Sequence, residues 1–318
     1  MDAGQYWHER TPRMVAARKL RTLLRAGRPT LLHTPRWSQS ARWLEDVALD
    51  LQLGSPTVQS EVVPLAPMQG RSAVQAWAWV MQRMSGFCGL PDDRRLAQAV
   101  NREGFRTLMG ELLERSATGP ERCAMLLGLE SVHLDVLRDL LEVYREHTLA
   151  FGEGVRLNFL VTGAVEAPHL GFETTNRLSL PDFSTTEAIE SLVEQVGPQP
   201  IPRLRQLAVL TGGIPALLDR IGSLGPAAID DAGGARDAIW RFLGPLGAEI
   251  RSVFQIAWAE PALSRRLEVL AKEGAQPEML EVDARLLRTG LVRLVRRGSR
   301  PRIEIRAPVF ADLVLGNG

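Results

Sequence analysis

"LLHTPRWSQSARWLEDVALDL", residues 31 to 51, decides how the rest of the chain is read. The apolar run around Leu31 and Leu32, entered from Pro29, reads as a short buried strand. Thr34 to Ser40 bring proline, serine and glutamine together and read as a turn. Beyond it Ala41, Leu44, Val47, Ala48 and Leu51 recur at helical spacing on one face, and Gly54 supplies the stop. Strand, tight turn and amphipathic helix in that order are the local plan of a loop that holds phosphate.

The residues that would hold the phosphate are absent. A working loop of the form GxxxxGK[ST] lets glycines turn backbone amides inward, neutralises the anion with lysine and binds Mg²⁺ through the hydroxyl. Aligned at the junction, Thr34-Pro35-Arg36-Trp37-Ser38-Gln39-Ser40-Ala41 replaces the two glycines by Thr34 and Gln39, the lysine by Ser40 and the hydroxyl by Ala41. A glutamine at a glycine position costs about 1 kcal/mol if the backbone must turn left-handed. The helix start still attracts an anion, but by roughly 0.3 to 1 kcal/mol, against about 8 kcal/mol for micromolar binding. The loop therefore predicts no nucleotide cofactor. Arg36 and Arg42 are candidates to meet phosphate in place of the lysine, or are plain surface charges. Trp37, on the loop itself, would either fill the space of a nucleotide or project as an anchor for a partner.

Composition narrows the classes. The 318 residues suffice for a sizeable core, 45% are hydrophobic, and 38 basic residues balance 37 acidic ones to a net charge of +1. No run approaches a membrane span, and MDAGQYWHERTPR lacks a secretory segment, so a cytoplasmic chain with no membrane partner is expected. Cys88 and Cys123 are too few for a disulfide framework and read as buried thiols. His8, His33, His133, His147 and His169 have no ligand spacing, so no metal is expected.

Elsewhere the pattern alternates. Helical spacing over residues 13 to 26 precedes the first strand; a second strand is expected around Glu61 to Leu65, then a helix from Ser72 to Met84 and another over 91 to 116. CAMLLGLES from Cys123 reads as a strand buried on both faces, followed by a helix over Leu134 to His147, a strand over 155 to 162 and a short edge strand over 177 to 183. Ser184 and Glu187 form a capping box that opens a helical stretch to Leu224. The polar GPAAIDDAGGARD reads as a link to further helices over 236 to 271 and a short one near Glu278 to Arg288. GLVRLV and RIEIRAP about the turn RRGSRP read as a β-hairpin. Trp43, Trp77, Trp79, Trp240 and Trp258 read as core or interface anchors.

Taken in order, PTLLHTPRWSQSARWLEDVALDL, VVPLAP, CAMLLGLES, VRLNFLVTG, LPDFSTTEAIESLV and TGGIPALLDRI resemble the STAND-type, AAA+-related P-loop ATPases, including the archaeal-ATPase and origin-recognition-like groups. Pro35, Arg36 and Ser38 match the loop, and Gly212, Gly213 and Pro215 match a GGxP lid. The resemblance covers residues 13 to 225 and implies an α/β fold with a parallel-sheet P-loop NTPase-like core over 1 to 183, a helical lid over 184 to 235 and a C-terminal winged-helix domain over 236 to 318. It departs where catalysis lives. Leu129 stands at the place of the metal-ordering aspartate, Glu130 is a relic of the catalytic glutamate, and Thr162 sits where a polar sensor would end its strand.

The implied function is a catalytically inactive relative acting as a protein-binding adaptor or regulatory scaffold, part of a larger complex in a bacterial defence, signalling or mobile-element system. One alternative keeps ATP binding through unorthodox ligands. Another is DNA binding: from Ala284 to Arg306 eight arginines face one acid, Glu304, and Arg285, Arg288, Arg293, Arg296, Arg297, Arg300 and Arg302 are the candidate DNA or partner contacts.

Overall fold

A computed structural model describes residues 11–26, 30–54, 58–89, 101–116, 120–128, 134–151, 157–163, 176–232, 236–277, 280–297 and 300–316. The chain divides into two compact units. One comprises Ala16–Thr34 and Ser40–Ser179; the other comprises Leu180–Gly318 with Pro35–Gln39 and the stretch ending at Val15.

The first unit is built on five strands, β1 (Thr30–His33), β2 (Val58–Pro64), β3 (Glu121–Leu127), β4 (Leu157–Gly163) and β5 (Asn176–Ser179), in the order β2-β3-β4-β1-β5. Every pairing is parallel, with Leu32 opposite Thr162 and Leu178. Parallel strands need crossovers, and the helices supply them: α2 (Ser40–Gly54), α3 (Ala73–Phe87), α4 (Arg102–Ser116) and α5 (Leu134–Phe151), preceded by α1 (Pro12–Arg25). The apolar run in β3 buries Cys123 to Leu126 because both faces of an interior strand are covered. Ala124 and Leu126 join Val63, Trp77, Phe105 and Tyr144 in one core.

Local chemistry sets the ends. Ser72 and Gln75 form a reciprocal capping box at α3. In α2 the buried face is Trp43, Leu44, Val47, Ala48 and Leu51, whereas Ala41 is exposed, one position outside the stripe expected of it. The second strand begins at Val58, before the apolar residues that announced it. Of the helix expected over 91 to 116, the segment before residue 101 lies outside the described residues, as do Leu129 and Glu130.

The second unit is helical: α6 (Thr185–Val196), α7 (Ile201–Leu210), α8 (Pro215–Gly222), α9 (Pro226–Ala232), α10 (Arg236–Trp258), α11 (Pro261–Glu273), α12 (Leu280–Thr289) and α13 (Pro308–Val314), with an antiparallel sheet β6 (Gln276–Pro277), β8 (Arg300–Ile305), β7 (Val292–Arg297). The expected capping box holds, with the Ser184 hydroxyl accepting from the Glu187 amide at 3.2 Å and the Glu187 carboxylate accepting from the Ser184 amide at 2.8 Å. The hairpin is present, with Leu294 opposite Ile303.

Three features differ from the expectation. The polar link contains α9, whose Ala228 and Ile229 are buried. The helical stretch from 236 breaks at Gly244, φ 51°, before Pro245, which cannot donate to the preceding turn. The RAP after the hairpin opens α13, started by Pro308 at its first turn, and α13 buries Val309 and Phe310. One core joins α6 to α13 through Leu192, Leu207, Leu217, Phe254, Leu267 and Phe310.

Candidate functional site

In a parallel sheet of this kind a ligand site is expected at the carboxyl ends of neighbouring strands whose connections leave in opposite directions. β1 leads toward β2 at one edge and β4 toward β5 at the other, so the switch falls between β1 and β4. There Thr162 is buried, and the Gly128 amide donates to its carbonyl at 3.0 Å and approaches its hydroxyl at 3.4 Å. His33 Nδ1 lies 3.4 Å from the Ser179 hydroxyl. Thr34 is buried; Ala41 and Arg42, in the first turn of α2, are exposed.

The loop residues Pro35 to Gln39 belong with the helical unit. Three successive carbonyls of the loop are taken by donors of that unit. The Arg36 carbonyl accepts from the Arg306 guanidinium, the Trp37 carbonyl from the Ala216 amide at 3.1 Å, and the Ser38 carbonyl from Arg13 at 2.6 Å. The Ala216 amide is one of the free donors at the start of α8, so Trp37 caps that helix with a backbone oxygen where an anion would otherwise be drawn. Turned back on itself, the loop also bonds the Ser38 amide to the Pro35 carbonyl at 3.2 Å.

Trp37 enters the helical core. Its ring meets Phe310 edge-on, 5.8 Å between centroids, and its indole N–H donates to Glu249 at 2.9 Å. Ser38 is buried, Gln39 and Ser40 are half-buried, and the Arg36 side chain is exposed.

Backbone angles refine the expectation for Gln39. The residue does adopt the left-handed conformation, φ 52°, and so does Trp37, φ 62°. Each costs about 1 to 2 kcal/mol, so the contacts around the loop must outweigh a few kcal/mol of backbone strain. The glycine geometry has been kept without the glycine.

Arg306 is the centre of those contacts. It is fully buried, and Asp182 accepts from it twice, at 2.8 and 2.5 Å. Its remaining nitrogen reaches the carbonyls of Arg36 and, at 3.4 Å, Gly290. A bidentate carboxylate and two carbonyls satisfy a buried guanidinium nearly in full. Beside it Arg13 donates to the Pro181 carbonyl at 3.0 Å and stacks on Phe183, 4.5 Å to the ring centre. Burial pulls the Arg13 guanidinium down to about 10 against the opposing pull of Asp182 and Glu187. The two buried cations beside the loop are thus committed to protein oxygens.

The lid residues also serve packing. Gly212 and Gly213 are left-handed, φ 63° and 71°; an added Cβ on Gly212 would strike the Arg306 carbonyl and Ala307, and one on Gly213 the Phe183 carbonyl. The Phe183 amide donates to the Gly213 carbonyl at 2.9 Å, and Pro215 is buried at the start of α8. Gly290 is less tight but also has no room, since a Cβ there would come 2.8 Å from Cβ of Arg36.

Of the basic run, Arg285 pairs with Glu260, and Arg293 bonds Glu304 at 2.9 Å and approaches the Gly212 carbonyl at 3.4 Å. Arg288 and Arg302 are exposed. The side chains of Arg296, Arg297 and Arg300 lie outside the described residues, although their strand positions place Arg297 opposite Arg300. Sequence reasoning counted Arg306 among the basic residues and missed Asp182 and Arg13. A lone charge after the alternating run RIEI, buried as the chain turns into α13, was the available signal.

Among solved structures, a Walker-type ATPase of Pyrococcus abyssi matches with 97% of each chain covered, 15% identity and a TM-score of 0.65. The chain shares the fold of a Walker-type ATPase. A STAND protein with a tetratricopeptide repeat sensor from Pyrococcus horikoshii matches 93% of this chain and 41% of its own length at 11% identity, with a TM-score of 0.46. No family model and no curated protein matches the sequence. Among the described residues no cluster of three or more His, Cys, Asp or Glu side chains is arranged to hold a metal, and no helix is long and apolar enough to cross a membrane.

Proposed function

We propose that this chain is a nucleotide-independent relative of the STAND and Walker-type ATPases that acts as an adaptor or regulatory scaffold for protein partners. The observation that carries the reading is the loop Pro35 to Gln39. Its carbonyls are bonded to Arg306, Ala216 and Arg13, and its Trp37 ring is packed on Phe310. A cradle for phosphate needs inward amides; this loop presents carbonyls, and the buried Arg306 and Arg13 beside it are spent on them, which leaves the exposed Arg36 and Arg42 as the cations that an ATP titration of their variants would probe. α11 and α12 followed by the β7–β8 hairpin are read as a winged helix, used for protein contacts.

Phosphate release from Mg²⁺-ATP tests the reading. Wild type and Glu130→Gln are expected to be indistinguishable from buffer. Turnover in the wild type that Glu130→Gln abolishes would refute it.

A further inference from the structure

We propose that the Arg306–Asp182 pair is a latch that holds the strained loop Pro35–Gln39 closed without a bound nucleotide. Two observations combine. Trp37 and Gln39 both stand at positive φ, each a conformation disfavoured about five- to thirtyfold for a residue with a Cβ, so the loop left to itself would relax. Against that, a fully buried guanidinium crosses from Asp182 to the Arg36 carbonyl, three residues before Gln39, and to the Gly290 carbonyl at the foot of the hairpin.

Other contacts share the load: the Trp37 indole bonds Glu249 and its ring packs on Phe310, the Ala216 amide bonds the Trp37 carbonyl, and Arg13 joins the Ser38 carbonyl to that of Pro181; of these ties, the one through Arg306 adds a bidentate carboxylate. Asp182 precedes Phe183, whose amide holds the Gly213 carbonyl, so the same short segment fixes both the latch and the lid glycines. Arg293 supports it, lying 3.9 Å from the Asp182 carboxylate while bound to Glu304 at 2.8 Å. The arrangement has the logic of a cross-link: where a bound anion would tie amides and cations together, this chain ties carbonyls together with its own cation. It gives the adaptor a loop whose closed state one ion pair reinforces. The inference rests on the absence of nucleotide in the working protein, yet the two fail separately, since ATP binding defeats that reading and latch-independent loop protection defeats this one.

Tryptic cleavage after Arg36 in the full chain, with amide exchange of α6 to α8 followed in parallel, tests it. The exposed Arg36 side chain is available to the protease, so the rate follows opening of the backbone. Arg306→Met and Asp182→Asn are each expected to raise cleavage at least tenfold while exchange in α6 to α8 stays as in wild type. Adding Gln39→Gly to Arg306→Met removes one strained residue and should slow cleavage again about fivefold. If Arg306→Met does not fold, Arg306→Lys, which retains a charge for Asp182 without the guanidinium's second edge, should give an intermediate rate. Cleavage of either variant within twofold of wild type, or protection lost equally over α6 to α8, would overturn the latch.

Discussion

If the loop after β1 is part of the helical core, truncating Trp37 must unfold more than a loop. Trp37→Ala removes an aromatic ring packed edge-on to Phe310 at 5.8 Å and a hydrogen bond to the Glu249 carboxylate at 2.9 Å. A fully buried Trp→Ala costs about 3 to 5 kcal/mol. Because this side chain is half-buried, about half of that is expected from packing, and the aromatic pair adds about 0.5 to 1.5 kcal/mol. The charge-assisted bond is solvent-accessible and is discounted to about 0.5 kcal/mol. Alanine inherits the same positive φ, so no strain is relieved. The expected loss is about 2.5 to 4.5 kcal/mol, and it should fall on the helical unit. Urea unfolding followed by circular dichroism, with amide exchange assigning the loss to α10 and α13, measures it. Trp37→Phe separates the terms: it keeps a ring against Phe310 and should cost about 1 kcal/mol. An ordinary surface-loop residue would cost under about 0.5 kcal/mol. A change that small for Trp37→Ala would show that the loop is only draped on the core, and the account of the site would fail.

Gly213→Ala should be more damaging than its size implies. Positive φ costs about 1 to 2 kcal/mol and the collision with the Phe183 backbone about 1 to 3 kcal/mol more, so a loss of about 2 to 5 kcal/mol is expected in a thermal or urea melt. The cysteines should be silent: burial pushes the Cys123 thiol up to about 12 and raises Cys88, with the Ser116 hydroxyl opposing in part. A folded value above the unfolded one stabilises fully below about pH 8.5 and loses that contribution as pH climbs toward the folded value. Labelling by a disulfide reagent at pH 8 should therefore track global unfolding and accelerate at higher pH; rapid labelling of the native chain would contradict the burial. Duplex DNA offers a further check. With Arg285, Arg293 and Arg306 paired to carboxylates, weak binding at low salt that vanishes by physiological salt is expected, and a steep log–log salt slope abolished by Arg296→Glu with Arg297→Glu would support the DNA-binding alternative instead.

The sheet was legible because a buried parallel strand advertises itself. Cys123 to Leu126 form an unbroken apolar run, and the Ser184–Glu187 box marks a helix start within a residue. The hairpin was legible from alternation about a Gly-containing turn. What could not be read was stabilised from far away. β6 is two residues long and exists because β8 offers it a partner; α9 hides its Ala228 and Ile229 among acidic residues and glycines. The site was half-read. Missing lysine and glycine at Ser40 and Gln39 are local facts, available from spelling alone. That Gln39 nevertheless turns left-handed depends on contacts that outweigh its strain, and the pair Arg306–Asp182 spans 124 residues, so neither residue's sequence neighbours name its partner.

The central claim is that Pro35 to Gln39 serve as structure for the helical unit and seat no nucleotide. Titration calorimetry of the purified chain with Mg²⁺-ATP addresses it directly. The account predicts no saturable heat up to millimolar nucleotide, the level at which binding energy falls to about 4 kcal/mol. Saturable micromolar binding that Arg36→Ala or Ser40→Ala weakens would contradict it.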